Sequence, residues 1–143
     1  MDVVINYWAI LGCVVFSMIV GFLWYGPLFG KIWSKEMGFT DADREAAMAN
    51  PNRMYLNYAL TAIGSALIAY VLAHALVFGN AYMHTSGISG NLMGATWYWL
   101  GLMVPVLLNE VLFGKKTWTV FGINIAYYLV LMLGMAAILA YWA

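Results

Sequence analysis

Four stretches of this sequence, 3–25, 54–78, 92–113 and 118–142, run for more than twenty residues with almost no charge. A helix rises 1.5 Å per residue, so about 20 apolar residues cross a hydrocarbon core of roughly 30 Å. Each stretch is long enough to be a transmembrane helix. Strands do not answer the pattern, because a lone strand leaves its backbone unsatisfied in lipid and alternating ten-residue segments are absent. The expected fold class is all-α: one domain, a polytopic membrane protein built as a four-transmembrane-helix bundle. Aromatic residues mark the span ends, with Tyr7 and Trp8 against Trp24 and Tyr25 on the first, and Trp118 against Tyr141 and Trp142 on the last.

Composition supports the same reading, since 65% of residues are hydrophobic and only 8% charged, against about 25% charged in a typical soluble domain. All the charged residues except Asp2 and Glu110 lie between Lys31 and Arg53 or at Lys115 and Lys116. The formal net charge is zero, which gives no footing for nucleic acid or another polyanionic partner. A removable signal peptide would need a basic start and a small-residue cleavage site, whereas no Lys or Arg precedes Lys31, so the first stretch is expected to be a permanent span. Cys13 is the only cysteine and reads as a buried thiol.

Basic residues resist translocation, and all 6 Lys and Arg fall in the first and third loops. Those loops are therefore expected in the cytoplasm, with both termini and His84 outside. The first loop has helical signals of its own. Pro27 can open a short helix that Gly38 ends, with Leu28, Phe29, Ile32, Trp33 and Met37 on one face, as in a helix lying in the membrane surface. Thr40 followed by Asp43 forms a capping box for a second short helix that stops at Asn50-Pro51.

Close packing in lipid depends on small residues. Ala9, Cys13, Ser17 and Gly21 recur every four residues on the first span, and Thr61, Ser65, Ala69 and Ala73 on the second. The last span offers Gly122, Ala126 and Gly134, and the approach to the third offers Gly87, Gly90 and Gly94. Such ladders fit contacts within one bundle or between copies. The run Leu28-Phe29-Gly30-Lys31-Ile32-Trp33 also resembles 112–118, which fits either a duplicated hairpin or the shared demands of two helix ends at one interface.

The polar residues within the spans are few. Counting inward from the basic loops, Asn57, Asn109, Glu110, Asn124 and Tyr25 fall at similar depth on the four spans and form a candidate polar layer. Pro105 removes the amide that would bond the Gly101 carbonyl, so it is expected to break the third helix. A carboxylate in a span is a candidate for proton or cation handling, and Glu110 could equally be a structural anion paired with Lys115, Lys31 or Arg53. His74 and His84 make no metal constellation, and the methionines do not cluster with His or Cys; neither a metal nor another cofactor is expected. The stretch 84–91 lacks the lysine and spacing of a phosphate loop and reads as an external loop.

The run 21–33, carrying Trp24, Tyr25, Gly26, Pro27, Gly30 and Trp33, resembles the signature of a bacterial membrane family known as domain of unknown function 1761. The resemblance extends to length and to the four spans, and Asn109-Glu110 is similar to a second motif of that family. It implies a small protein of the bacterial inner membrane and supplies no activity. With no nucleophile and base pair and no cofactor box, an enzyme ranks last. The leading expectation is a non-enzymatic membrane protein that forms a homo-oligomer or joins a larger membrane complex. The alternative is a small channel or transporter for a cation, proton or small solute, using the layer around Glu110.

Overall fold

The computed structural model describes residues 3–142. Among them lie seven α-helices and two π-helical turns: α1 (Tyr7–Leu23), a π turn (Trp24–Leu28), α2 (Gly30–Glu36), α3 (Asp41–Ala49), α4 (Pro51–Met83), α5 (Gly87–Tyr98), a second π turn (Trp99–Met103), α6 (Val104–Leu112) and α7 (Trp118–Tyr141). Four continuous helices are long and apolar enough to cross a membrane: Tyr7–Leu28, Pro51–Met83, Gly87–Leu112 and Trp118–Tyr141. The fold is an all-α membrane bundle of four such helices, with α2 and α3 forming a helical first loop.

The last span organises the bundle. It buries Val120, Ile123, Asn124, Tyr127, Leu131 and Met135, recurring at three and four residues, so that one broad stripe faces inward. Its contacts run to α1, α5 and α6, and α1 also packs on α4. Leu131, Met135, Val120 and Cys13 are the largest side chains fully enclosed. The Cys13 thiol lies 3.8 Å from the Met135 carbonyl, which locks α1 to α7.

The small-residue ladders fall inside the single chain. Ala9, Cys13 and Ser17 are buried on α1, as are Ser65, Ala69 and Ala73 on α4. A Cβ on Gly134 would strike the Phe16 ring, and one on Gly94 would come within 2.8 Å of Leu76 Cδ2. Thr61, Gly87 and Gly122 are the exceptions and stay exposed.

Capping follows local rules. The Asn6 side chain accepts from the amides of Trp8 and Ala9 at the start of α1. Its own Nδ2 donates to the Trp142 carbonyl at 2.9 Å, tying the beginning of the first span to the end of the last. The capping box at Thr40 and Asp43 is formed, and Asn50 caps α4 with Pro51 in its first turn.

Two expectations change. Pro27 does not open a helix; it sits inside the π turn. Proline has no amide, so the Leu23 carbonyl cannot find its usual partner, and a wider turn brings the next amide into reach. The Phe29 amide then reaches back to the Trp24 carbonyl at 2.9 Å, and α2 begins at Gly30. Likewise the break ahead of Pro105 takes the form of a π turn, with the Val104 amide bonded to the Trp99 carbonyl. The second correction concerns 84–91. The connection is only 84–86, with His84 left-handed at φ 53°, and residues from Gly87 onward are already α5. Small residues there allow the helix to lie close to the end of α4: a Cβ on Gly90 would stand 2.5 Å from Asn80 Oδ1.

Candidate functional site

Near the basic-loop end, three consecutive residues of α7 are each held by an aromatic side chain. Trp24 Nε1 donates to the Ile123 carbonyl at 3.0 Å. Tyr25 Oη donates to Asn124 Oδ1 at 2.7 Å. Trp99 Nε1 donates to the Ile125 carbonyl at 2.8 Å. Both tryptophans are the first residues of the π turns. The wider turn rotates the following helix relative to what precedes it, and each proline-linked break thus has an indole fastening it to the last span.

Rings stack around this clamp. Tyr25 meets Tyr127 at 5.1 Å and Trp33 at 5.3 Å, Trp24 meets Phe29 at 4.9 Å, and Trp33 meets Phe39 at 5.5 Å. These spacings are those of edge-to-face and tilted aromatic pairs. The run 21–33 therefore acts as one physical unit. Trp24 and Tyr25 grip α7, Pro27 sets the π turn, and Trp33 folds back onto Tyr25. Gly30 is required where the chain doubles back, since a Cβ there would lie 2.6 Å from the Tyr25 carbonyl oxygen. Gly26 faces open space.

The residues singled out as a polar layer separate into four places. Tyr25 and Asn124 meet directly, and Asn124 is only 9% exposed. Glu110 Oε2 is bonded by Lys116 Nζ at 2.6 Å, both side chains being partly exposed. The same turn brings the Lys116 amide to the Glu110 carbonyl at 3.4 Å, and Gly114 is needed because a Cβ would collide with that carbonyl. Asn57 and Asn109 are exposed, and their side chains make no hydrogen bond among the described residues. Asn57 lines a crevice with Asp43, Asn50 and Arg53 between α3 and α4. Pro105 is exposed at the start of α6.

At the opposite end the sequence reading passed over a polar chain. Thr85 Oγ1 donates to Asn80 Oδ1 at 2.8 Å, Asn80 Nδ2 to Asn91 Oδ1 at 2.7 Å, and Asn91 Nδ2 to the Ala136 carbonyl at 3.1 Å. Two asparagines bracketing a short turn at the ends of apolar runs were the available signal. His74 Nδ1 lies 2.9 Å from the Tyr70 carbonyl one turn before it, and its ring packs on Tyr70. His84 is apart from it, in the turn after α4.

Residues 8–140 match the family model described as Protein of unknown function (DUF1761). The chain belongs to that family. The match takes in all four spans, and with them the Trp24–Trp33 unit, the Glu110–Lys116 turn and the Asn80–Asn91 relay. No curated protein matches the chain. No solved structure matches it either.

Proposed function

We propose that this DUF1761 chain is a non-enzymatic membrane subunit that works by assembly, with copies of itself or within a larger membrane complex of the bacterial inner membrane. The observation that carries this reading is the exposure of two stretches that reach the basic-loop end. The start of α4, residues 51–64, and the whole of α6 contain no buried residue. On α6 the exposed amide of Asn109 makes no hydrogen bond among the described residues, whereas Asn57 turns to the crevice beside α3 and the Thr61 hydroxyl donates to the Asn57 carbonyl. An amide facing lipid gains from a partner on a neighbouring helix, at about 0.6 kcal/mol per interhelical bond. Many of the small residues on the other spans are packed inside the chain, and we take the exposed face of α6 as the side open to a neighbour.

Native mass spectrometry in mild detergent tests the reading. An oligomer is expected, together with disulfide-linked dimers when Asn57→Cys or Asn109→Cys is oxidised in a Cys13→Ala background. A monomer at every concentration, alone and in membrane extracts, would overturn it.

The alternative, a channel or transporter for a cation, proton or small solute, would need Glu110 available to its cargo. Its contact with Lys116 favours an anchoring role for the third loop instead. Glu110→Gln is then expected to lower stability by about 0.2–1 kcal/mol, the range of an exposed pair, and to leave ion and solute flux in vesicles unchanged. A stable variant that abolishes a flux present in the parent would favour transport.

A further inference from the structure

We infer that the cavity at the end of the bundle carrying Asn6 and Trp142 is a binding site for a small uncharged amphiphile with a carbonyl or ether oxygen. The cavity has a volume of about 290 Å³ and is walled by all four spans, close to the lower limit of small-molecule pockets, roughly 300 Å³. Ala9 comes from the first span and Val4 from just before it, Ala73 and Val77 from α4, Asn91 from α5 and Leu139 from α7. It is mostly apolar, and among the described residues no Asp, Glu, Lys, Arg or His lines it. A charged ligand would meet no counter-charge among them, at a large desolvation cost.

The polar wall sets the ligand's chemistry. Asn91 is 7% exposed and bonds the Ala136 carbonyl. A carbonyl only accepts, so that contact fixes Nδ2 of Asn91 toward Ala136 and Oδ1 toward Asn80. Asn80 must then present Nδ2 to Asn91 and keep Oδ1 for the Thr85 hydroxyl, which is the arrangement observed. Each amide nitrogen carries two hydrogens and spends one in this relay. Both asparagines line the cavity with a second N–H uncommitted to the relay. Ser86 and Gly87 lie on the same wall, and Ser86 makes no side-chain capping bond at the start of α5. The spare amide hydrogens are donors, and the complementary group on a ligand is an acceptor; the Thr85 and Ser86 hydroxyl oxygens beside them can also accept. The remaining apolar walls take its short hydrocarbon part.

The test uses the full chain in detergent, labelled with nitrogen-15, with methyl hexanoate as probe and hexanoate and heptane as its charged and wholly apolar counterparts. Methyl hexanoate is expected to shift the side-chain amide signals of Asn80 and Asn91 saturably. Hexanoate and heptane should act at least about tenfold more weakly. Val77→Trp fills the cavity without touching the relay and should weaken methyl hexanoate binding by a similar factor; Ala140→Phe does so from the opposite wall should the first variant fail to fold. Shifts that rise linearly without saturation, equal shifts with heptane, tighter binding of hexanoate, or unchanged binding in the filled variants would each overturn the inference.

Discussion

At the residue scale, the hydroxyl of Tyr25 has a job that its ring alone does not do. It donates to Asn124 Oδ1, and Asn124 is buried. Tyr25→Phe keeps the aromatic contacts and strands that oxygen, a loss of about 1–3 kcal/mol. Tyr58→Phe, at an exposed position, serves as the comparison and is expected to stay within about 0.5 kcal/mol of the parent. Thermal unfolding in detergent measures both, and equal midpoints would show that the hydroxyl contributes nothing. Asp43 gives a pH-dependent prediction outside the spans. Hydrogen bonds from the Thr40 amide and hydroxyl hold its carboxyl below the usual carboxylate range. A depressed pKa means that the capping box supports α3 in full above the pKa of an unfolded Asp, and that this support is lost as pH falls through the lower folded value. The Thr40 amide resonance should therefore titrate below the range of a free Asp. Titration within that range would contradict the capping bond, as would an unchanged profile in Asp43→Asn.

At the element scale, the sequence was informative wherever a local rule decides the outcome. Uncharged length marked the four spans, the Thr40–Asp43 spacing marked α3, and Gly38, with φ 76°, ended α2 as its position suggested. The span boundaries were less legible, because α4 runs on to Met83 and α5 starts at Gly87. Asn80 and Asn91 look like loop residues by type, yet both are helical and bonded to each other. The two π turns required knowing that carbonyls of α7 would accept from the indoles that open them. For the candidate site, the pairing of Tyr25 with Asn124 follows from their common depth, whereas depth alone could not tell that Asn57 faces α3 or that Lys116 would take Glu110. The small-residue ladders give the element-scale prediction. At Gly21 a new Cβ would already touch the Tyr127 hydroxyl at 3.4 Å, so the rest of a Leu side chain crowds that ring, and Ser65→Leu enlarges a buried position. Each is expected to cost about 1–3 kcal/mol. Ile19→Leu, on the exposed side of α1, is expected to be near neutral. Equal detergent stability for all three would refute the packing argument.

At the scale of the whole molecule, the distribution of charge and the course of the chain give a prediction about orientation. Val4, Thr85 and Trp142 line one cavity, so the start of the first span, the second connection and the end of the last span share one end of the bundle. The helical first loop, the first turn of α4 and the turn at 113–117 lie at the other, and they hold every Lys and Arg in the sequence. Moving such residues across a bilayer is disfavoured, whereas the opposite end carries none to hold it back. We propose that Lys35 and Arg44 face the cytoplasm and His84 faces outward; residues 1 and 143, expected on the outer side with it, lie outside the described residues. Cys13 is fully buried, so the parent chain should give little background with a membrane-impermeant thiol reagent. Added to intact cells, that reagent is expected to mark His84→Cys and to leave Lys35→Cys and Arg44→Cys unmarked until the membrane is opened. Marking of the first-loop positions from outside, with position 84 protected, would reverse the assignment. It would also mean that the basic loops had crossed the bilayer against their charge.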